Sequence, residues 1–210
     1  MTRLLRLRSR HERTERGQGL VEFAMLVPVF MLLLLGLLEF GFVFDHTMTV
    51  SYATREGARS GAAFAQGNAS VPCATIDANI IAAVQRVLKA PGSLVKLSNI
   101  ANITIYNAQG ASDPSPGAPY AGAGNNNVWI YTLGSGPVVD GAALDFSKQS
   151  GSWDACSRVN GVNPDSLGVS ITYDYKFVTP LSAAMGFFGT PGGAGLTIRD
   201  RTVMALNPIN

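Results

Sequence analysis

The apolar positions of the chain form one long continuous run near the N-terminus. From Leu20 to Phe44 almost every residue is apolar, and the only charged ones are Glu22 and Glu39. A helix of these 25 residues would extend about 37 Å, which exceeds the hydrocarbon core of a bilayer at about 30 Å. The run therefore predicts a membrane-spanning helix. The stretch 45–66 contains no Pro, so we expect the same helix to continue to its end.

A second helix is predicted between Thr75 and Ala90. Apolar residues recur there at helical spacing, and Pro91 and Gly92 end the pattern.

Alternating and β-branched residues predict a sheet in the rest of the chain. The expected strands are 94–106, 127–133, 167–179 and 196–206. In the clearest strand, one face should be formed by Val169, Ile171, Tyr173, Tyr175 and Phe177. The stretches 107–127 and 134–166 are predicted to be mostly loop. The elements together predict an α+β fold with a long helix, a second helix and an antiparallel sheet of about four strands.

Only the first 17 residues of the chain have an excess of positive charge. They hold six Arg against two Glu, whereas the remaining residues hold 10 Lys and Arg against 12 Asp and Glu. The adjoining apolar run and the lack of interleaved aromatic residues favour a cytoplasmic membrane flank over a nucleic-acid-binding tail. By the positive-inside rule, the N-terminus should be cytoplasmic and residues 45–210 should lie outside. The run exceeds the apolar core of a signal peptide, which favours a retained single-pass anchor in the inner, cytoplasmic membrane.

The start of the apolar run carries a recognisable motif. A basic leader, Gly17, and a Glu at the fifth position after it resemble the leader of class III, type IV pilin-like precursors. The longer stretch GQGLVEFAMLVPVFMLLLLGLLEFG, followed by SYATREGARSGA, is similar to the TadE-like family of bacterial pseudopilins, accessory proteins of the tight-adherence (Flp) pilus. This resemblance covers residues 16–65.

The resemblance implies a domain plan and a set of partners. Residues 1–17 would be a leader that a prepilin peptidase removes between Gly17 and Gln18, residues 18–44 the transmembrane helix, and residues 45–210 a pilin-like domain. The implied partners are other pilus subunits or pseudopilins, the peptidase, the inner-membrane pilus platform and the lipid bilayer, with no nucleic acid.

The same stretch supplies the candidate site residues. Cleavage would place a new α-amine on Gln18, about 6 Å along the helix from Glu22. That carboxylate would then neutralise the amine of its own chain or of a neighbouring subunit, or else it is only a flank that matches the helix dipole. Recognition or assembly roles are implied for Glu22, Phe23, Glu39, Arg55, Glu56, Gly57 and Arg59.

For several of these residues an alternative stays open. Glu39 either meets the membrane interface or contacts another helix. Arg55 and Arg59 share a helix face that either docks on a carboxylate of the sheet or a second subunit, or is solvated; Glu56 and Arg59 form an i,i+3 pair.

The two cysteines, Cys73 and Cys156, both fall in the predicted exported part. A pair in an oxidising compartment is most simply one disulfide, with two free thiols as the alternative.

The sequence contains little that indicates catalysis. Its two His are His11 in the leader and His46 at the end of the apolar run, which argues against a His-based triad or zinc site in the globular part. The Asp residues are scattered without the spacing of a calcium loop. We therefore expect no enzyme activity, cofactor or metal.

Three functions agree with these observations. The favoured one is a minor pseudopilin that assembles with or primes an Flp-type pilus. The second is a single-span exported protein whose β-rich domain binds a ligand or surface partner without forming a pilus. The third, a membrane-tethered hydrolase, would require a pair of carboxylates that the sequence does not nominate.

Overall fold

The structure is a computed structural model that describes residues 12–67, 71–108, 125–161, 163–180 and 195–206, with side chains from residue 17 onward. The chain forms two compact units. One contains Met1–Gly41 and Phe177–Gly193, and the other contains Phe42–Lys176 and Ala194–Asn210.

The first helix, α1, runs from Glu12 to Phe64 and confirms the predicted long helix. Its apolar run is exposed on every side, with Phe23 68%, Leu26 67% and Phe30 60% exposed. A helix that is apolar all round and uncovered by its own chain is suited to lipid. By length and composition it is able to cross a membrane. Pro28 lies within the run, where membrane helices tolerate proline.

The second helix, α2, runs from Ile76 to Leu88 and confirms the predicted one. One side of it is fully buried, including Ile76, Ile80, Ile81 and Val84. After α2 the chain turns at Gly92. The φ of this residue is +90°, a conformation that glycine adopts without the steric penalty that other residues have.

Within the residues that the structure describes, five antiparallel strands form one sheet: β1 Ile100–Asn107, β2 Asn126–Tyr131, β5 Phe146–Gly151, β6 Ser166–Tyr175 and β7 Leu196–Ala205. They lie side by side in the order β5-β2-β1-β6-β7. Two further strands, β3 Val138–Val139 and β4 Ala142–Ala143, form a separate hairpin. Asp140 and Gly141 turn that hairpin with φ of +51° and +80°, as a tight two-residue loop requires.

The sheet contains one strand more than the sequence indicates. Strand β5 lies in the stretch 134–166, which the pattern predicts to be mostly loop. Its sequence, FSKQSG, has Phe146 as its one apolar residue, because an edge strand that is largely exposed needs no alternating pattern. The predicted inner face of β6 is correct for Val169, Ile171, Tyr173 and Tyr175, whereas Phe177 lies beyond the end of the strand.

In the second unit, α1 and α2 meet the sheet through small residues. Cβ atoms placed on Gly57 would lie 2.6 Å from Val84 of α2 and 3.4 Å from Val169 of β6. At Gly61 they would lie 2.8 Å from Leu167 of β6. The absence of side chains at these two positions therefore allows the helices and the sheet to approach closely.

Candidate functional site

The residues around the predicted cut are exposed on α1. The amide Nε2 of Gln18 donates a hydrogen bond to Oε1 of Glu22 at 3.1 Å. Phe23 is 68% exposed, and the space around Gly17 is open. Positions 18 and 22 are thus one helical turn apart and within contact, which is the spacing that the proposed pairing of amine and carboxylate needs. The pairing itself stays a prediction, because it requires the cut chain.

Glu39 is buried, in contrast to the apolar residues around it. Its carboxylate accepts hydrogen bonds from the backbone N–H of Val178 at 3.0 Å and of Thr179 at 2.9 Å, and from the Thr179 hydroxyl at 2.5 Å. Only 2% of the Glu39 surface is exposed. The sequence analysis considered the membrane interface and another helix as partners of Glu39, and it did not predict this contact within the chain. The donors lie about 140 positions later, and two of them are backbone groups that every residue but proline carries.

The location of Glu39 gives the contact a physical reason. The residue lies about 28 Å along the helix axis from Leu20, close to the thickness of a hydrocarbon core. A carboxylate and unpaired backbone N–H groups are all costly near lipid. The three hydrogen bonds satisfy these groups together and hold the chain after β6 against α1.

The charged residues of the REGAR motif, residues 55–59, lie on the surface of α1. Glu56 accepts two hydrogen bonds from Arg59, at 3.0 Å and 3.1 Å, in a bidentate ion pair. This hydrogen bonding raises the pKa of the Arg59 guanidinium above its usual value. Arg55 and Arg59 are exposed, whereas Gly57 between them is buried against α2 and β6. The REGAR motif thus combines a core-packing glycine with an exposed charged face.

The two cysteines form a disulfide. Cys73 and Cys156, whose Cα atoms are 5.0 Å apart, join two short 3₁₀ turns, Cys73–Thr75 and Ala155–Ser157. The bond ties the segment before α2 to the loop between β5 and β6.

A buried ion pair between Arg158 and Asp77 lies near the disulfide, and the sequence did not predict it. Arg158 is fully buried, and its Nη2 lies 2.5 Å from Oδ1 of Asp77. Its guanidinium stacks 4.1 Å from the ring centre of Trp153. Because these residues lie about 80 positions apart, no local pattern relates them.

A second buried polar contact joins α1 to the edge strand β7. The hydroxyl of Thr54 donates to Asp200 and lies 3.1 Å from the hydroxyl of Thr202. Arg199, Asp200 and Arg201 interrupt the alternating pattern in the middle of β7. One of them, Asp200, is the hydrogen-bond partner of Thr54 on α1.

Metal-binding geometry is not found in the part of the chain that the structure describes. No three His, Cys, Asp or Glu side chains there are grouped closely enough to hold a metal ion.

Comparison with known proteins identifies the N-terminal segment. Residues 17–59 match the family described as TadE-like protein. No curated protein and no solved structure matches the chain. The matched segment begins at the glycine of the predicted cut and contains Glu22, Glu39 and the REGAR residues. Over residues 17–59, about a fifth of its length, the chain is similar to the TadE-like family.

Proposed function

We propose that this chain is a minor, pseudopilin-like, membrane-anchored component of a tight-adherence (Flp-type) pilus assembly or secretion system. The match of residues 17–59 to the TadE-like family carries the proposal, since that family is associated with pilus assembly. The role is structural rather than enzymatic. Its partners are other pilus subunits or pseudopilins, a prepilin peptidase and the inner-membrane platform.

The anchor is the apolar part of α1. In this proposal residues 1–17 are the cytoplasmic leader, 18–44 span the inner membrane, and 45–210 form the domain outside. The exposed apolar surface of the helix and the six Arg of the leader support this arrangement.

Glu22 is the assembly residue of the cut chain. The contact between Gln18 and Glu22 supports this role, because it brings position 18 within hydrogen-bond reach of the carboxylate. A new α-amine at that end would gain a charged partner in its own or a neighbouring subunit. The exposed pair of Glu56 and Arg59, with Arg55 beside it, offers a further charged contact to another subunit.

Gene deletion tests the function directly. A strain that lacks the chain should lose or strongly reduce its surface pili, and the intact gene should restore them. Pili that assemble normally without the chain would contradict the proposal.

The role of Glu22 needs a separate test with a matched control. Glu22→Gln should reduce pilus number, whereas Glu12→Gln, in the leader that cleavage removes, should not. Mass spectrometry of the protein from its native membrane should find Gln18 at the N-terminus. A full-length chain that starts at Met1 in a strain with normal pili would remove the cleavage and the amine pairing from the proposal.

A further inference from the structure

The segment that follows β6 returns to the apolar half of α1. Residues 177–180, the return segment, belong to the same compact unit as residues 1–41. The backbone N–H groups of Val178 and Thr179 donate to the carboxylate of Glu39 at 3.0 Å and 2.9 Å. These two hydrogen bonds place the return segment directly beside α1.

The contact lies at a level where α1 itself is uncovered. Glu39 is about 28 Å along the helix from Leu20, close to the hydrocarbon thickness of about 30 Å. Side chains of a helix tilt toward its N-terminus, so the carboxylate and its donors lie on the side of Glu39 that faces the apolar run. Leu37 before Glu39 and Phe40 after it are 69% and 68% exposed. In a bilayer that α1 spans, the return segment therefore lies at the boundary of the hydrocarbon core.

The return segment exposes no unpaired N–H group between residues 178 and 180. Val178 and Thr179 donate theirs to Glu39, and Pro180 has none. The Thr179 hydroxyl also donates to Glu39, at 2.5 Å. Irregular backbone at the level of the lipid must have its polar groups paired within the protein. The donors of these three residues meet that requirement.

The outward surface of the return segment is apolar. Val178 is 66% exposed, and Pro180 is exposed close to it in the sequence. Thr179, the one polar residue of the segment, directs its hydroxyl to Glu39. The sequence contains no charged residue from 177 to 198. A single exposed valine is ordinary on a water-soluble surface, so it is the position of Val178 beside the apolar helix that indicates lipid.

We propose that the return segment is a second membrane contact of this chain, in which Val178 and Pro180 lie among phospholipid acyl chains at the bilayer boundary. The segment has no charged side chain and no unpaired N–H at residues 178–180. It therefore suits hydrocarbon better than a protein partner, whose interfaces carry hydrogen bonds. The proposal rests on the membrane anchor of the proposed function. It does not require that the chain takes part in pilus assembly.

Site-directed spin labelling of the full chain tests this contact. The chain is placed in nanodiscs of phosphatidylethanolamine and phosphatidylglycerol. Val178→Cys is labelled with a nitroxide without reductant, so that the bond between Cys73 and Cys156 stays closed. The experiment measures collisions of the nitroxide with oxygen, which concentrates in lipid, and with a nickel chelate, which stays in water. The unsubstituted chain should take up no label.

Two equally exposed residues provide the matched controls. Leu37→Cys, 69% exposed in the apolar run, reports lipid, and Val138→Cys, 70% exposed in the β3–β4 hairpin, reports water. Because the three side chains are about equally exposed in the structure, a difference between their labels is caused by the surrounding medium. Collisions with the nickel chelate should be lost at Val178→Cys and Leu37→Cys and retained at Val138→Cys. Collisions with oxygen should be retained at Val178→Cys.

The controls separate failure of the contact from failure of the anchor. Nickel collisions at Val178→Cys that equal those at Val138→Cys, while Leu37→Cys is shielded, would remove the contact and keep the anchor. A label at Val178→Cys that neither reagent reaches would assign the segment to a protein-covered surface and overturn the proposal. Nickel collisions at Leu37→Cys would remove the spanning helix and the contact with it. Normal pili in a strain that lacks the chain would contradict the pilus role alone.

Discussion

The substitution Gly57→Ala tests whether α1 docks on α2 and the sheet as described. The new Cβ would lie 2.6 Å from Cγ2 of Val84 and 3.4 Å from Cγ1 of Val169. Both valines are fully buried. A valine in a helix has essentially one side-chain rotamer, so Val84 is unable to rotate away from the added methyl group.

Two opposing effects decide the magnitude. Alanine favours a helix over glycine by up to about 1 kcal/mol. Overpacking of a well-packed core costs about 1–3 kcal/mol, and the short distance to a stiff side chain favours the upper part of that range. We therefore expect Gly57→Ala to lower the free energy of unfolding of the second unit by about 1–2 kcal/mol.

Thermal unfolding of the full chain in detergent, followed by circular dichroism, measures the effect. For a unit of this size, 1 kcal/mol corresponds to a shift of about 2–4 °C. Gly41→Ala is the matched control, because it is the same change in the same helix with nothing within 4 Å of the added Cβ. Gly41→Ala should therefore not lower the midpoint, because only the gain in helix propensity acts there. If Gly57→Ala raises the midpoint or leaves it unchanged, the close packing described here is wrong.

Three further substitutions have expected outcomes. Cys156→Ser, which breaks the bond to Cys73, should lower the free energy of unfolding by about 4 kcal/mol in the chain-entropy model, measured by denaturant unfolding. Lys89→Met should destabilise the domain by about 1 kcal/mol at pH 7, because the hydrogen bond from Lys89 lowers the pKa of Asp145 in the folded protein. The difference should shrink as the pH falls below about 4, where Asp145 becomes protonated in the unfolded chain, and vanish once the pH is below the depressed pKa of the folded protein. Glu39→Gln should accelerate hydrogen exchange of the two backbone amides that donate to it by about tenfold or more.

Each of these expectations has a contradicting result. A full count of free thiols in the unreduced native protein would remove the disulfide. An effect of Lys89→Met that does not shrink as the pH falls below about 4 would mean that it acts through packing and not through the ion pair, because the stability from a depressed pKa is present at neutral pH and lost in acid. Unchanged exchange in Glu39→Gln would mean that the carboxylate does not hold the segment after β6.

Local features of the chain were predictable because neighbours along the sequence produce them. The long apolar run predicts α1, and the spacing of apolar residues predicts α2. The one-turn contact between Gln18 and Glu22 follows directly from helix geometry. Strand β6 was predictable to Tyr175, because its inner face alternates with its outer face.

Other features depend on residues that are distant in the sequence, and no local pattern encodes them. Strand β5 is polar because it is an exposed edge, so its existence depends on pairing with β2. The partners of Glu39 are mainly backbone groups, which any residue carries. The pairing of Arg158 with Asp77 arises because the disulfide and the sheet bring two separate segments together.

The sequence by itself determined the long apolar helix and the α+β class, since composition and short-range periodicity are enough to specify both. Its motif residues also showed the similarity of the N-terminal segment to the TadE-like family. Only the tertiary structure decided that Gly57 faces the core while Arg59 beside it is exposed, and that Glu39 binds its own chain. These outcomes depend on which surfaces come into contact when the helices dock on the sheet, and that is decided by packing between distant segments.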